Sequence, residues 1–68
     1  MECIYLDVLL EFIAPSSRVQ ILTHDYETGA LLNKINPMYA EDIKLDKKRF
    51  WRVFEIRSSR GHIEIYVM

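Results

Sequence analysis

Sixty-eight residues make at most one small domain, and a chain of this length buries only about 60% of the surface its unfolded form exposes. Cys3 is the only cysteine, so no disulfide framework can compensate for the small core, and self-association is the remaining economical source of stability. The formal net charge of −1 argues against a domain that binds nucleic acid nonspecifically through an overall basic surface.

The apolar N-terminus lacks a basic leader, and Asp7 and Glu11 interrupt it, which excludes a signal peptide and a membrane span. A cytoplasmic location is expected. At 100° per residue, the segment from 3 to 13 reads as an amphipathic helix. Val8, Phe12, Tyr5, Leu9, Ile13, Leu6, Leu10 and Cys3 fall on a broad apolar arc, opposite the Asp7–Glu11 stripe. The arc covers over half the circumference, more than one small sheet can hide, so a second copy of the chain is the expected cover.

Pro15 ends that helix. Arg18 to His24 reads as a strand, Asp25 to Gly29 as a turn, and Ala30 to Ile35 as a second strand, together an N-terminal hairpin. Asn36-Pro37 has the form of an N-cap followed by proline at the first helical position, and predicts one or two helical turns between Met38 and Leu45. The final hairpin runs from Phe50 to Met68 through a polar turn ending in Gly61. In its second strand Ile63, Ile65 and Val67 alternate with His62, Glu64, Tyr66 and Met68, which marks one core face and one outer face. The first strand, Phe50 to Arg57, carries large apolar groups on both faces, so it is central, bulged, or exposed to a partner. The expected fold is α+β: an N-terminal helix packed on a four-stranded, mainly antiparallel sheet of two hairpins, with a short connecting helix.

The runs Phe12-Ile13-Ala14-Pro15-Ser16-Ser17-Arg18-Val19-Gln20-Ile21, Thr28-Gly29-Ala30-Leu31-Leu32 and Ile63-Glu64-Ile65-Tyr66-Val67 carry a resemblance. The chain resembles a loose group of small uncharacterised proteins encoded by phages and prophages of low-GC Gram-positive bacteria. The resemblance implies a phage accessory protein, of the sort that binds host factors or counters host defences. It transfers no functional residues.

Catalytic chemistry finds no foothold. His62-Ile63-Glu64 matches half of a zinc-deaminase signature, but the paired cysteines of the other half are absent. Cys3, His24 and His62 have no metal-ligand spacing. Ser16-Ser17 and Ser58-Ser59 suit caps and turns, and Asp7 with Glu11 suits a solvated helix stripe better than an acid–base pair. No enzyme, metal or cofactor is expected.

Two binding readings remain. In the first, the chain is a self-associating, non-catalytic module that engages a host protein. Its interface candidates are Trp51, His62, Tyr66 and Met68, on the outer face of residues 51 to 57 and the edge of the terminal strand. In the second, Lys47, Lys48, Arg49, Arg52, Arg57 and Arg60, beside Phe50 and Trp51, hold the phosphates of a nucleotide or nucleic acid. Against the second, Trp51 and the phenylalanines are needed by a small core, with the bases solvating the strand ends.

Overall fold

The computed structural model describes residues 4–45 and 50–68. Cys3 and the Lys47-Lys48-Arg49 run lie outside the described residues. Six strands form one sheet: β1 (Ile4–Tyr5), β2 (Arg18–His24), β3 (Leu31–Lys34), β4 (Met38–Tyr39), β5 (Arg52–Ser59) and β6 (His62–Val67). A six-residue helix, α1 (Leu6–Glu11), follows β1 directly, and a single 3-10 turn spans Ala40–Asp42. The sheet order is β1-β5-β6-β2-β3, with β4 pairing the first residues of β2.

This corrects the expected architecture. There is no N-terminal helix from 3 to 13 on a four-stranded sheet. Ile4 and Tyr5 are instead strand, opposite Val53 and Arg52 of β5, and the backbone N–H of Leu6 donates to the Trp51 carbonyl at 2.9 Å. The wide apolar arc arises because strand and helix share one segment: side chains that a continuous helix would place together leave in different directions. Leu6 is almost fully buried, whereas Phe12, just past the helix, is 80% exposed.

The connecting helix is reduced to the single 3-10 turn of Ala40–Asp42. Met38–Tyr39 pairs with β2, and the backbone N–H groups of Ala40 and Glu41 donate to the carbonyls of Ser17 and Pro15. Tertiary hydrogen bonds thus take the donors that a helix from Pro37 would have used. Ser58 and Ser59, expected in the hairpin turn, lie within β5, and Arg60-Gly61 alone makes the turn, with Gly61 at φ +78°.

The chain path through the sheet is the larger difference. β6 lies between β5 and β2, antiparallel to the first and parallel to the second. The terminal strand therefore has no free edge, contrary to the expectation that its edge forms part of a recognition surface. The parallel register sets Val19 beside Ile63, Ile21 beside Ile65 and Thr23 beside Val67. Alternation then gathers the isoleucines and valines of both strands on one face. Val19, Ile65 and Val67 are fully buried there with Leu6 of α1, and Leu9, Leu10, Ile35, Ile43, Trp51 and Val53 pack around them. The alternation read in Ile63, Ile65 and Val67 does mark the core face.

β5 is bulged. Val53 pairs with Val67 and Glu55 with Tyr66, which leaves Phe54 as the extra residue. The bulge resets the alternation: Val53 and Ile56, of opposite parity in sequence, both face the core side, opposite Val67 and Ile65. The β2–β3 connection is built by its side chains. Asp25 Oδ1 accepts from the N–H groups of Glu27 (2.7 Å) and Thr28 (3.2 Å), and Gly29 at φ +74° returns the chain to β3. No helix among the described residues is long and apolar enough to cross a membrane.

Candidate interaction surface

Among the described residues no helix packs on the second face of the sheet. Its rows are read from the register: Gln20, Leu22 and His24 on β2; Glu64 and Tyr66 on β6; Glu55 and Arg57 on β5. Leu22 is buried between its register partners Tyr66 and Lys34. Gln20 is buried as well, and its Nε2 donates to the Ile35 carbonyl at 2.9 Å. A buried amide of this kind needs such a partner, and the bond ties the β3–β4 loop to the sheet.

An aromatic cluster sits at one end of this face. The His24 and Phe54 rings meet edge to face with centroids 5.2 Å apart, and Tyr66 lies 5.7 Å from His24 and 6.1 Å from Phe54. These separations fall in the range where aromatic pairs stabilise beyond their area. Alternation from Val53 puts Phe54 on this face, and the bulge adds Glu55 beside it opposite Tyr66. His24 Nδ1 is 3.1 Å from the Leu22 carbonyl, to which it donates, leaving Nε2 as the acceptor of the neutral ring.

Charged groups border the rings. The Arg57 guanidinium lies 5.5 Å from the centre of the Tyr66 ring and bonds Glu55 at 3.1 Å. The Glu55 carboxylate, by hydrogen bond and by charge, raises the Arg57 pKa, so Arg57 is a cation throughout the accessible range. The Tyr66 hydroxyl donates to Glu64 Oε2 at 3.2 Å. Burial, then the adjacent Glu64 charge, raises the Tyr66 pKa above its ordinary value, and the phenol keeps its proton. The patch is aromatic, amphipathic and close to neutral, with Phe54 47% exposed at its rim.

Of the residues singled out in sequence, Tyr66 and Arg57 come together here. Arg52 and Arg60 do not: they lie at opposite ends of β5, on the order of 25 Å apart at the rise of a strand. With Glu55 and Glu64 beside Arg57, the described arginines do not converge on one anion site. Trp51 and Met68 line a shallow groove with His24, Tyr26 and Leu32 at the other side of the β2–β3 turn, and Trp51 also packs against the core. His62 is partly buried at the opposite end of β6 from Tyr66, paired with Ser59, and its Nε2 finds no hydrogen-bond partner among the described residues. His24 and Phe54 were missed as site residues. Their parity within each strand was legible, but not the parallel pairing of β2 with β6 that brings His24 to Phe54 and Tyr66.

Among the described residues no group of three His, Cys, Asp or Glu side chains is placed to hold a metal ion. No protein-family model, curated protein or solved structure matches the chain.

Proposed function

We propose that this chain is a non-catalytic binding module that works as a self-associated assembly. Its contact surface runs from the Phe54–Tyr66–Arg57 patch onto the outer edge of β5. One observation carries the reading: the fold leaves out more large apolar groups than it buries. Six hydrophobic side chains are buried, whereas Phe12, Tyr26, Phe50, Leu32, Ile56 and six others among the described residues are at least a third exposed. Scattered exposed apolar residues are ordinary, but this proportion in so small a domain favours covering by a partner. An amphipathic patch of His, Phe, Tyr and Arg has the composition that protein interfaces favour.

Sedimentation velocity over the micromolar range tests the reading. The expected result is a weight-average mass that rises with concentration from one chain towards a dimer or larger species. A single monomeric boundary at every concentration refutes it. The resemblance to small phage-encoded proteins supports a narrower form, in which the patch engages a host protein. That form predicts a host protein bound by the wild-type chain and released by Phe54→Ser, an exposed substitution. Binding that survives Phe54→Ser refutes the narrower form.

A further inference from the structure

We infer that two copies join by antiparallel pairing of their β5 strands about a two-fold axis at Ile56, so that Arg57 of each copy faces Glu55 of the other. The inference rests on the self-association proposed above and specifies its surface and register.

β1 covers β5 only at Arg52 and Val53, and among the described residues nothing pairs with the outer edge from Phe54 to Ser59. The ladder identifies which backbone groups point outward. Arg52 and Met68 exchange both of their hydrogen bonds, N–H to carbonyl at 3.1 and 3.0 Å. Bonded and non-bonded pairs alternate along an antiparallel ladder. Past the bulge, Glu55–Tyr66, Arg57–Glu64 and Ser59–His62 are therefore the bonded pairs, and Ile56 and Ser58 turn their N–H and C=O groups away from β6. The two-residue Arg60-Gly61 turn closing on Ser59–His62 agrees with this phase. An exposed edge with free donors and acceptors is a template for pairing with another chain.

A symmetric antiparallel pair must join outward residues to outward residues, which leaves three registers near the centre of this edge. With the axis at Arg57, the two guanidiniums face each other across a non-bonded pair, at the closer Cα spacing of about 4.5 Å. Like charges so placed are destabilising. With the axis at Ser58, Ile56 faces Arg60 and Arg57 faces Ser59, so neither the apolar group nor the charge finds a complement. With the axis at Ile56, the two isoleucines exchange backbone bonds and cover each other's exposed side chains, each 52% exposed in one copy. Arg57 then stands opposite Glu55 of the other copy on both sides of the axis. Because Arg57 already bonds Glu55 in its own chain at 3.1 Å, the pairing makes a ring of four alternating charges. Phe54 stands opposite Ser58 in this register, with its ring on the Tyr66 face and the Ser58 side chain on the other, so the two do not collide. Both the charge pattern and the apolar pattern select this register.

The test is a charge-swap series on the full chain, read by sedimentation and by amide hydrogen exchange. Arg57→Glu alone and Glu55→Arg alone each place like charges across the axis, and each is expected to weaken association about tenfold or more. The double variant Glu55→Arg/Arg57→Glu restores alternation and is expected to return association to within a few-fold of wild type. Both positions are exposed, and circular dichroism of each variant verifies the monomer fold. The Ile56 and Ser58 amides are expected to exchange slowly at high protein concentration and quickly on dilution. If the wild type is monomeric throughout, the self-association reading itself falls. If it associates but the single variants are unaffected, the double variant fails to recover, or Ile56 and Ser58 exchange independently of concentration, self-association stands and this interface is wrong.

Discussion

Truncating Ile65 to alanine tests the chain path most directly. Ile65 is fully buried, between Ile21 on β2 and Ile56 on β5. Large-to-small changes at such sites cost about 2–5 kcal/mol, because transfer energy is lost and the surroundings only partly collapse. A domain of this length has a total stability of roughly 3–10 kcal/mol at about 0.05–0.15 kcal/mol per residue, so Ile65→Ala removes a large fraction of it. The midpoint should fall by about 10 °C or more, at about 4–8 °C per kcal/mol for a domain this small. The informative comparison is Phe12→Ala, which deletes a larger side chain. Phe12 is 80% exposed, so only a fifth of a burial worth about 1.5–3 kcal/mol is at stake, under ~1 kcal/mol. Urea unfolding followed by circular dichroism, at protein concentrations too low for association, measures both. A Phe12→Ala cost equal to or above that of Ile65→Ala would refute the topology, and would restore a long N-terminal helix packed through Phe12.

Two further outcomes follow from the buried amide and from the phenol. Gln20→Met keeps the volume but removes the donor to the Ile35 carbonyl, and should cost about 1–3 kcal/mol in urea unfolding. Gln20→Glu should cost more at neutral pH and recover as the solution is acidified, since a protonated carboxyl can donate where a carboxylate cannot; a flat pH response would count against that hydrogen bond. Tyr66 has a folded-state pKa raised above the ordinary 10.0, so the folded chain holds a proton that the unfolded chain releases. The stability tied to that proton is present below pH 10.0 and is lost as pH rises through the folded value. Stability of the wild type should decline at alkaline pH more steeply than that of Tyr66→Phe, and identical alkaline limbs would show that the phenol is not held by burial and Glu64.

Local patterns were legible where one residue's surroundings come from its own neighbours in the chain. Arg18 to His24 reads as a strand and is one, and the period-2 run ending in Val67 places its isoleucines on the buried face. The ambiguous faces of residues 50 to 57 admitted a bulge, and the register shift at Phe54 is the one found. What sequence could not supply was pairing between distant segments. Tyr5 fits the apolar arc of a helix and Ile4 falls at the edge of its polar stripe, yet the edge of β5 captures the backbone of both. Asn36-Pro37 fits a helix start, yet the carbonyls of Pro15 and Ser17 take the donors that follow. In both places long-range hydrogen bonds outweigh a propensity of a few tenths of a kcal/mol per residue. The aromatic patch was half visible for the same reason: Tyr66 and Arg57 belong to one hairpin, whereas His24 joins them only through the parallel pairing.

That parallel pairing also governs how the molecule must assemble in time. Val19 meets Ile63 across more than forty residues of intervening chain, and no turn holds the two strands near each other beforehand. The β2–β3 and β5–β6 hairpins can form by themselves in microseconds, but neither has a buried face until they dock. The loop between them must close before any of the central contacts forms, so its entropy weighs on the folding barrier. Folding should therefore be slow for so short a chain. Until the hairpins dock, Ile21 and Ile65 are exposed on strands paired along one edge only, in a state open to aggregation and proteolysis.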